Sequence, residues 1–180
     1  MKELLRIVVT GSECTGKTTL ARKLAATFDA PWVPEAARAR AESKGTPLTA
    51  ADVEPIARAH MAAADEAERQ GERCLFLDTD LISTVVYARH YYGGCPAWIE
   101  REARLRRSDL YLLHHTDIPW TPDPSRDRGD QRREMHALFV SALREFGAIA
   151  VDVMGCGEAR EAPAFAAVEA LLGLSGRSGR

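Results

Sequence analysis

The 180-residue chain has 24 basic and 26 acidic residues, a formal net charge of -2, and 46% hydrophobic against 28% charged residues. That length accommodates one domain with a core and leaves no room for a second, and the even charge balance excludes an excess positive field for nucleic acid or an anionic membrane. The four cysteines, scattered and without a C-x-x-C pair, argue against a zinc site or a disulfide framework and read as reduced thiols of a cytoplasmic protein.

Arg6 to Thr10 reads as a short buried strand, followed by a glycine loop and a helix marked by Leu20, Leu24 and Phe28. Pro31 to Pro34, with Trp32 and Val33, reads as a second strand, and Glu35 to Ser43 as a helix that Gly45 and Pro47 end. Thr49 and Asp52 resemble a capping box. They open a helix in which Val53, Ile56, Ala57, His60, Met61 and Ala64 share one buried face. The apolar run Cys74 to Leu77, closed by Asp78, and the run Leu110 to Leu113 have the form of parallel strands covered on both sides. Between them, Ile82 to Tyr92 and Trp98 to Leu105 read as helices. An exposed loop rich in proline, aspartate and arginine runs from Ile118 to Gly129. An amphipathic helix around Met135 to Phe146, a last strand at Ile149 to Val153 and a closing helix containing Phe165 and Leu172 complete the chain. Five strands alternating with helices predict an α/β fold of the P-loop NTPase kind, a five-stranded parallel sheet with helices on both faces. The expected organisation is one domain over residues 1–173 with a flexible tail at 174–180, where no apolar residue remains beyond Leu174.

Gly11-Ser12-Glu13-Cys14-Thr15-Gly16-Lys17-Thr18 matches G-x-x-x-x-G-K-[ST] between a strand and a helix, the context in which this pattern wraps main-chain amides around a polyphosphate. The amides of Glu13, Cys14, Thr15, Gly16, Lys17, Thr18 and Thr19, together with the positive helix end, are the expected ATP cradle. Lys17 is placed to reach the β and γ oxygens, and the Thr18 hydroxyl to bind Mg²⁺. Phosphate binding leaves kinase, hydrolytic ATPase and GTPase open. Asp78, leaving its strand beside this loop, suits a Mg²⁺ water shell; an aspartate there also serves as a helix N-cap. Thr79 follows it where a hydrolytic motor carries a water-orienting Glu, and no N-K-x-D guanine motif occurs. Glu35, after the second strand, is a candidate base for an acceptor hydroxyl, with Arg38 beside the acceptor; a Glu and an Arg at i+3 are also an ordinary surface helix start. Arg126 and, second, Arg132 are candidates for closing over ATP, although a mixed-charge surface loop has the same composition. His60 and the pair His114-His115 read as structural, and Tyr87, Tyr91, Tyr92 and Trp98 as core packing or as walls of an aromatic pocket.

Taken together, G-x-E-x-x-G-K-[ST], E-x-x-R, L-x-D-T-D-x-[IL]-x-T and the Trp-containing Asp/Arg loop resemble the ribosylnicotinamide kinase domain of the NadR type, from about Ile7 to Val153. The resemblance implies ATP-dependent phosphorylation of the 5′-hydroxyl of nicotinamide riboside or a related nucleoside. It assigns Gly11, Gly16, Lys17 and Thr18 to nucleotide binding, Glu35 and Arg38 to the acceptor, Asp78 and Asp80 to metal or ribose, and Arg126 to the lid. Where that family sandwiches the nicotinamide between aromatic rings, this chain has Pro34 and Glu66, leaving Trp32, Tyr91 or Trp120 as substitutes. The alternatives carried alongside are a nucleotide or deoxynucleoside kinase and a regulatory ATPase with a protein partner.

Overall fold

The computed structural model describes residues 4–118 and 131–175. Five strands, β1 (Leu5–Gly11), β2 (Trp32–Val33), β3 (Cys74–Asp78), β4 (Leu110–His114) and β5 (Ala150–Val153), form one parallel sheet in the order β2-β3-β1-β4-β5. The helices are α1 (Lys17–Phe28), α2 (Ala36–Lys44), α3 (Val53–Gln70), α4 (Leu81–Tyr92), α5 (Ala97–Leu105), α6 (Arg132–Glu145) and α7 (Glu158–Ser175).

Side chains alternate across each strand, so one sequence run feeds two cores. Val8, Leu75, Leu77, Tyr111 and Leu113 face one layer, where Ala57, Ile82, Val85, Ile99 and Phe139 come from α3, α4, α5 and α6. Ile7, Val9, Phe76, Leu110 and Leu112 face the other layer, closed by Leu20 and Leu24 of α1 and by Ala164, Val168 and Leu172 of α7. Each fully buried leucine contributes about 2 kcal/mol relative to an exposed one. The continuous apolar runs of β1, β3 and β4 are explained by this double coverage. Among the described residues, no helix is long and apolar enough to cross a membrane.

Two local details differ from the sequence reading. Thr49 and Asp52 do form the capping box, but their first turn is a 3₁₀ turn over Ala50–Asp52, and α3 proper begins at Val53. The second helix begins at Ala36, which makes Glu35 its N-cap residue rather than a first-turn residue. Parallel strands point the same way, so the segments after β1, β2, β3 and β4 emerge along one edge of the sheet.

Candidate nucleotide and acceptor site

Gly11 ends β1 with φ 123, and a Cβ there would lie 2.7 Å from the His114 carbonyl oxygen on the adjacent strand. Glycine is therefore required by both backbone angle and space. The loop then passes through left-handed backbone at Cys14 (φ 51) and Gly16 (φ 81), the latter capping α1. Its carbonyls are bonded inward. Ser12 O accepts the Thr15 hydroxyl at 2.9 Å and the Lys17 ammonium at 2.7 Å, and Thr15 O lies 2.7 Å from His114 Nδ1. Thr15, Lys17 and His114 are all buried. A turn whose carbonyls face inward leaves N–H groups to face outward, as a polyphosphate requires.

Asp78 shares strand parity with Cys74 and Phe76, which aims it at α1, and its Oδ2 accepts the Thr18 hydroxyl at 2.5 Å. Asp78 Oδ1 is buried and has no hydrogen-bond partner among the described residues. Burial raises this carboxyl's pKa and the neighbouring Glu35 charge adds to the rise, while the Thr18 hydrogen bond, Lys17 and Arg38 act against it. A buried carboxylate oxygen without a donor, beside a threonine hydroxyl, is a donor set suited to Mg²⁺, which takes one or two protein oxygens and completes its shell with water and phosphate. No cluster of three or more His, Cys, Asp or Glu residues occurs among the described residues, so the set is not that of an all-protein metal cage.

Glu35 is mostly buried, and Arg38 Nε lies 3.9 Å from its Oε2. Both charges act on the Asp78 carboxyl, Glu35 raising its pKa and Arg38 lowering it. Arg132, the first residue of α6, is buried with Nη1 donating to Ile118 O at 3.1 Å and Nη2 making a long 3.5 Å contact with Cys14 O. It stitches α6 to the crest of the loop. Arg126 and Trp120 lie outside the described residues.

Of the expected acceptor residues, Asp80 faces the other layer and Trp32 packs against α1. Thr79, in left-handed backbone (φ 69) with its N–H donated to Val9 O, turns the chain so that Asp80 faces away from Asp78. Asp80 accepts the Ser83 N–H at 3.2 Å and the Tyr111 hydroxyl at 2.8 Å, so it is Asp80, not Asp78, that caps α4. Both of its oxygens are occupied inside the core, which removes it from the acceptor side. Trp32 pairs with Phe76, packs on the α1 layer and carries the Arg22 guanidinium 5.0 Å from its ring centroid, so its ring is engaged in packing. His60 is a core residue whose pKa burial lowers to about 4, and Tyr87 packs edge-on against Phe139.

Three contributors carry no functional signal in the sequence. His114 reaches the loop only because β4 is the neighbour of β1, a fact of sheet order. Tyr111 is a polar tip in an apolar strand, and a hydroxyl fully buried there signals a partner such as Asp80. Arg160 of α7 bonds Asp117 at 2.6 Å and the carbonyls of His115 and Gly155, tying the segments after β4 and β5 together.

The sheet order, the glycine loop and the Thr18–Asp78 pair define a P-loop NTPase fold. The chain belongs to the AAA_28 family, described as an AAA domain, whose model matches residues 6–160. It is 28% identical over 145 residues to the trifunctional NAD biosynthesis/regulator protein NadR of Escherichia coli strain K12, covering 77% of this chain and 35% of that protein. A crystal structure of NadR in complex with NAD and AMP-PNP superposes with a TM-score of 0.75 at 28% identity, over 94% of this chain and 50% of that one. A structure of NadR with NR gives 0.74 at 27% identity, over 94% and 50%. The thymidylate kinase of Ehrlichia chaffeensis gives 0.63 at 14% identity over 93% and 97%, a likeness of fold. The chain thus spans about a third of the length of the curated relative and half of the NadR chains in the solved structures.

Proposed function

We propose that this protein is a cytoplasmic ATP-dependent kinase that phosphorylates the 5′-hydroxyl of nicotinamide riboside or a closely related nucleoside. The observation that carries the reading is the buried Asp78 oxygen beside Thr18, without a hydrogen-bond partner among the described residues and acted on by the charges of Glu35 and Arg38, in a chain related to NadR.

Lys17 exchanges the Ser12 carbonyl for the β and γ oxygens of ATP, and the loop amides hold the rest of the polyphosphate. Thr18 and Asp78 are the residues that would hold Mg²⁺, which would supply positive charge for the phosphate oxygens there. The acceptor hydroxyl oxygen forms a bond to the γ-phosphorus while the bond from that phosphorus to the β-γ bridging oxygen breaks, and ADP departs. Glu35 takes the hydroxyl proton, and Arg38 fixes the acceptor. Arg132, at the start of α6, bears on the nucleotide and helps screen it from water, a role the sequence pattern assigns to Arg126 as well. Catalysis of this kind is positioning and charge placement, and a fixed loop opposite a carboxylate supplies both.

The test is incubation with ATP, Mg²⁺ and a panel comprising nicotinamide riboside, the common ribonucleosides and deoxynucleosides, and nucleoside monophosphates, followed by mass analysis. A phosphate ester formed fastest on nicotinamide riboside is the expected result. A product on a monophosphate alone moves the assignment to a nucleotide kinase, and ATP turnover without any phosphorylated acceptor ends the kinase reading.

A further inference from the structure

His114 is one of five histidines and the last residue of β4; it is paired in register with Gly11, and no part of it is exposed. Its Nδ1 lies 2.7 Å from the Thr15 carbonyl oxygen. A carbonyl only accepts, so the proton resides on Nδ1 and the ring is the neutral Nδ1–H tautomer, the less common one for a free imidazole. Burial lowers the ring's pKa to about 3, with the Thr15 carbonyl and the Asp117 charge acting against this and the Arg160 and Lys17 charges with it, so the ring stays neutral near physiological pH. Nε2 is buried without a hydrogen-bond partner among the described residues. The bond at Nδ1 is therefore the one polar anchor of this ring among the described residues.

We propose that His114 is a positioning residue for nucleotide binding, whose Nδ1–H fixes the Thr15–Gly16 peptide with the Gly16 N–H turned toward the polyphosphate. The role rests on the kinase reading in one respect, that the loop receives ATP. The geometry is simple. No peptide bond among the described residues is cis, and in a planar trans peptide the N–H points opposite to the carbonyl, so holding Thr15 O on His114 directs the following N–H away from His114. Thr15 is pinned a second time by its hydroxyl on Ser12 O. The absence of room for a Cβ at Gly11, 2.7 Å from His114 O, shows that the strand end and the loop fit together without slack. The loop's amide directions are therefore set from behind by β4, and not by the nucleotide.

Two measurements test this on the full chain. In the wild-type protein labelled with ¹⁵N at histidine, long-range ¹H–¹⁵N spectra assigned through bonds to the backbone are expected to show His114 as the neutral Nδ1–H tautomer, unchanged between about pH 5.5 and 9. An Nε2–H tautomer, or titration inside that range, overturns the proposal without any variant having to fold. The second measurement is ATP affinity in H114N, H114Q and H114L. An asparagine carboxamide places its N–H where Nδ1–H was, whereas glutamine places it near Nε2 and leucine offers none. H114N is expected to retain ATP affinity within about threefold, while H114Q and H114L lose about tenfold, with kcat at saturating ATP changing far less. Equal behaviour of all three, weak or strong, rejects the role. Failure of the wild type to bind ATP rejects the kinase reading instead, and the tautomer result then stands or falls by itself.

Discussion

Lys17, Thr15, Asp78 and His114 are buried and joined through short hydrogen bonds to the ends of three adjacent strands, whereas α2, which carries Arg38 and follows Glu35, buries none of its residues. The difference separates two jobs. A polyphosphate is the same for every reaction of the class, and its cradle is made from backbone and core, where rigidity costs little. The proposed acceptor side is a short surface helix held largely by charge: Arg40 Nε lies 3.0 Å and Lys44 Nζ 2.5 Å from the carboxylate of Asp52, which itself caps the following turn. On that proposal, substrate choice rests on the part of the molecule that sequence change alters most cheaply.

Substitutions at the two ends separate these jobs in order of size. Lys17→Ala is expected to reduce transfer by about a thousandfold or more, because it removes the only ammonium of the loop; a purified variant retaining a tenth of the activity contradicts the loop's role. Asp78→Asn comes next, with a loss of about a hundredfold and a shift of the Mg²⁺ dependence to higher concentration. A variant slowed equally at all Mg²⁺ concentrations means that Asp78 does not hold the metal. For Glu35→Gln, kcat should fall by about a hundredfold while the KM for ATP stays within about twofold; a matching rise in that KM places Glu35 with the nucleotide. The smallest effect belongs to Asp52→Asn, which frees α2 and should raise the KM for the acceptor about threefold while leaving that for ATP unchanged. The pH dependence sharpens this last case. Hydrogen bonds from Lys44 and the Thr49 amide hold the Asp52 carboxyl well below the usual carboxylate range. A depressed folded-state pKa contributes stability above the unfolded value, near 4, and loses it as pH falls below that value. Wild type should therefore lose more Tm than Asp52→Asn on going from about pH 6 to pH 3, and parallel curves would show that the ion pairs do not hold α2.

Much of this was legible because it is local or periodic. Continuous apolar runs announced strands covered twice, and the glycine loop between a strand and a helix announced the phosphate site. The Asp-Thr-Asp run was harder. Both carboxylates stand at a strand end, and only the left-handed turn at Thr79, fixed by Val9 O, sends one toward α1 and the other under Tyr111. Trp32 illustrates the same limit: its parity with Phe76 is a property of strand pairing, which a two-residue strand does not advertise. Arg132 was recognisable as a candidate cation for the nucleotide, but its bond to Ile118 O depends on how α6 returns to the sheet.

The contact between Lys17 and the Ser12 carbonyl has a consequence for selectivity. An arriving anion meets an ammonium one of whose N–H groups is already held by a peptide dipole, so the cation is oriented before the ligand comes. On the kinase reading, a chain of linked phosphates spans that oriented ammonium and the row of loop amides at once, which a lone orthophosphate is too short to do. Chain length is on that reading sensed before any part of the base or sugar.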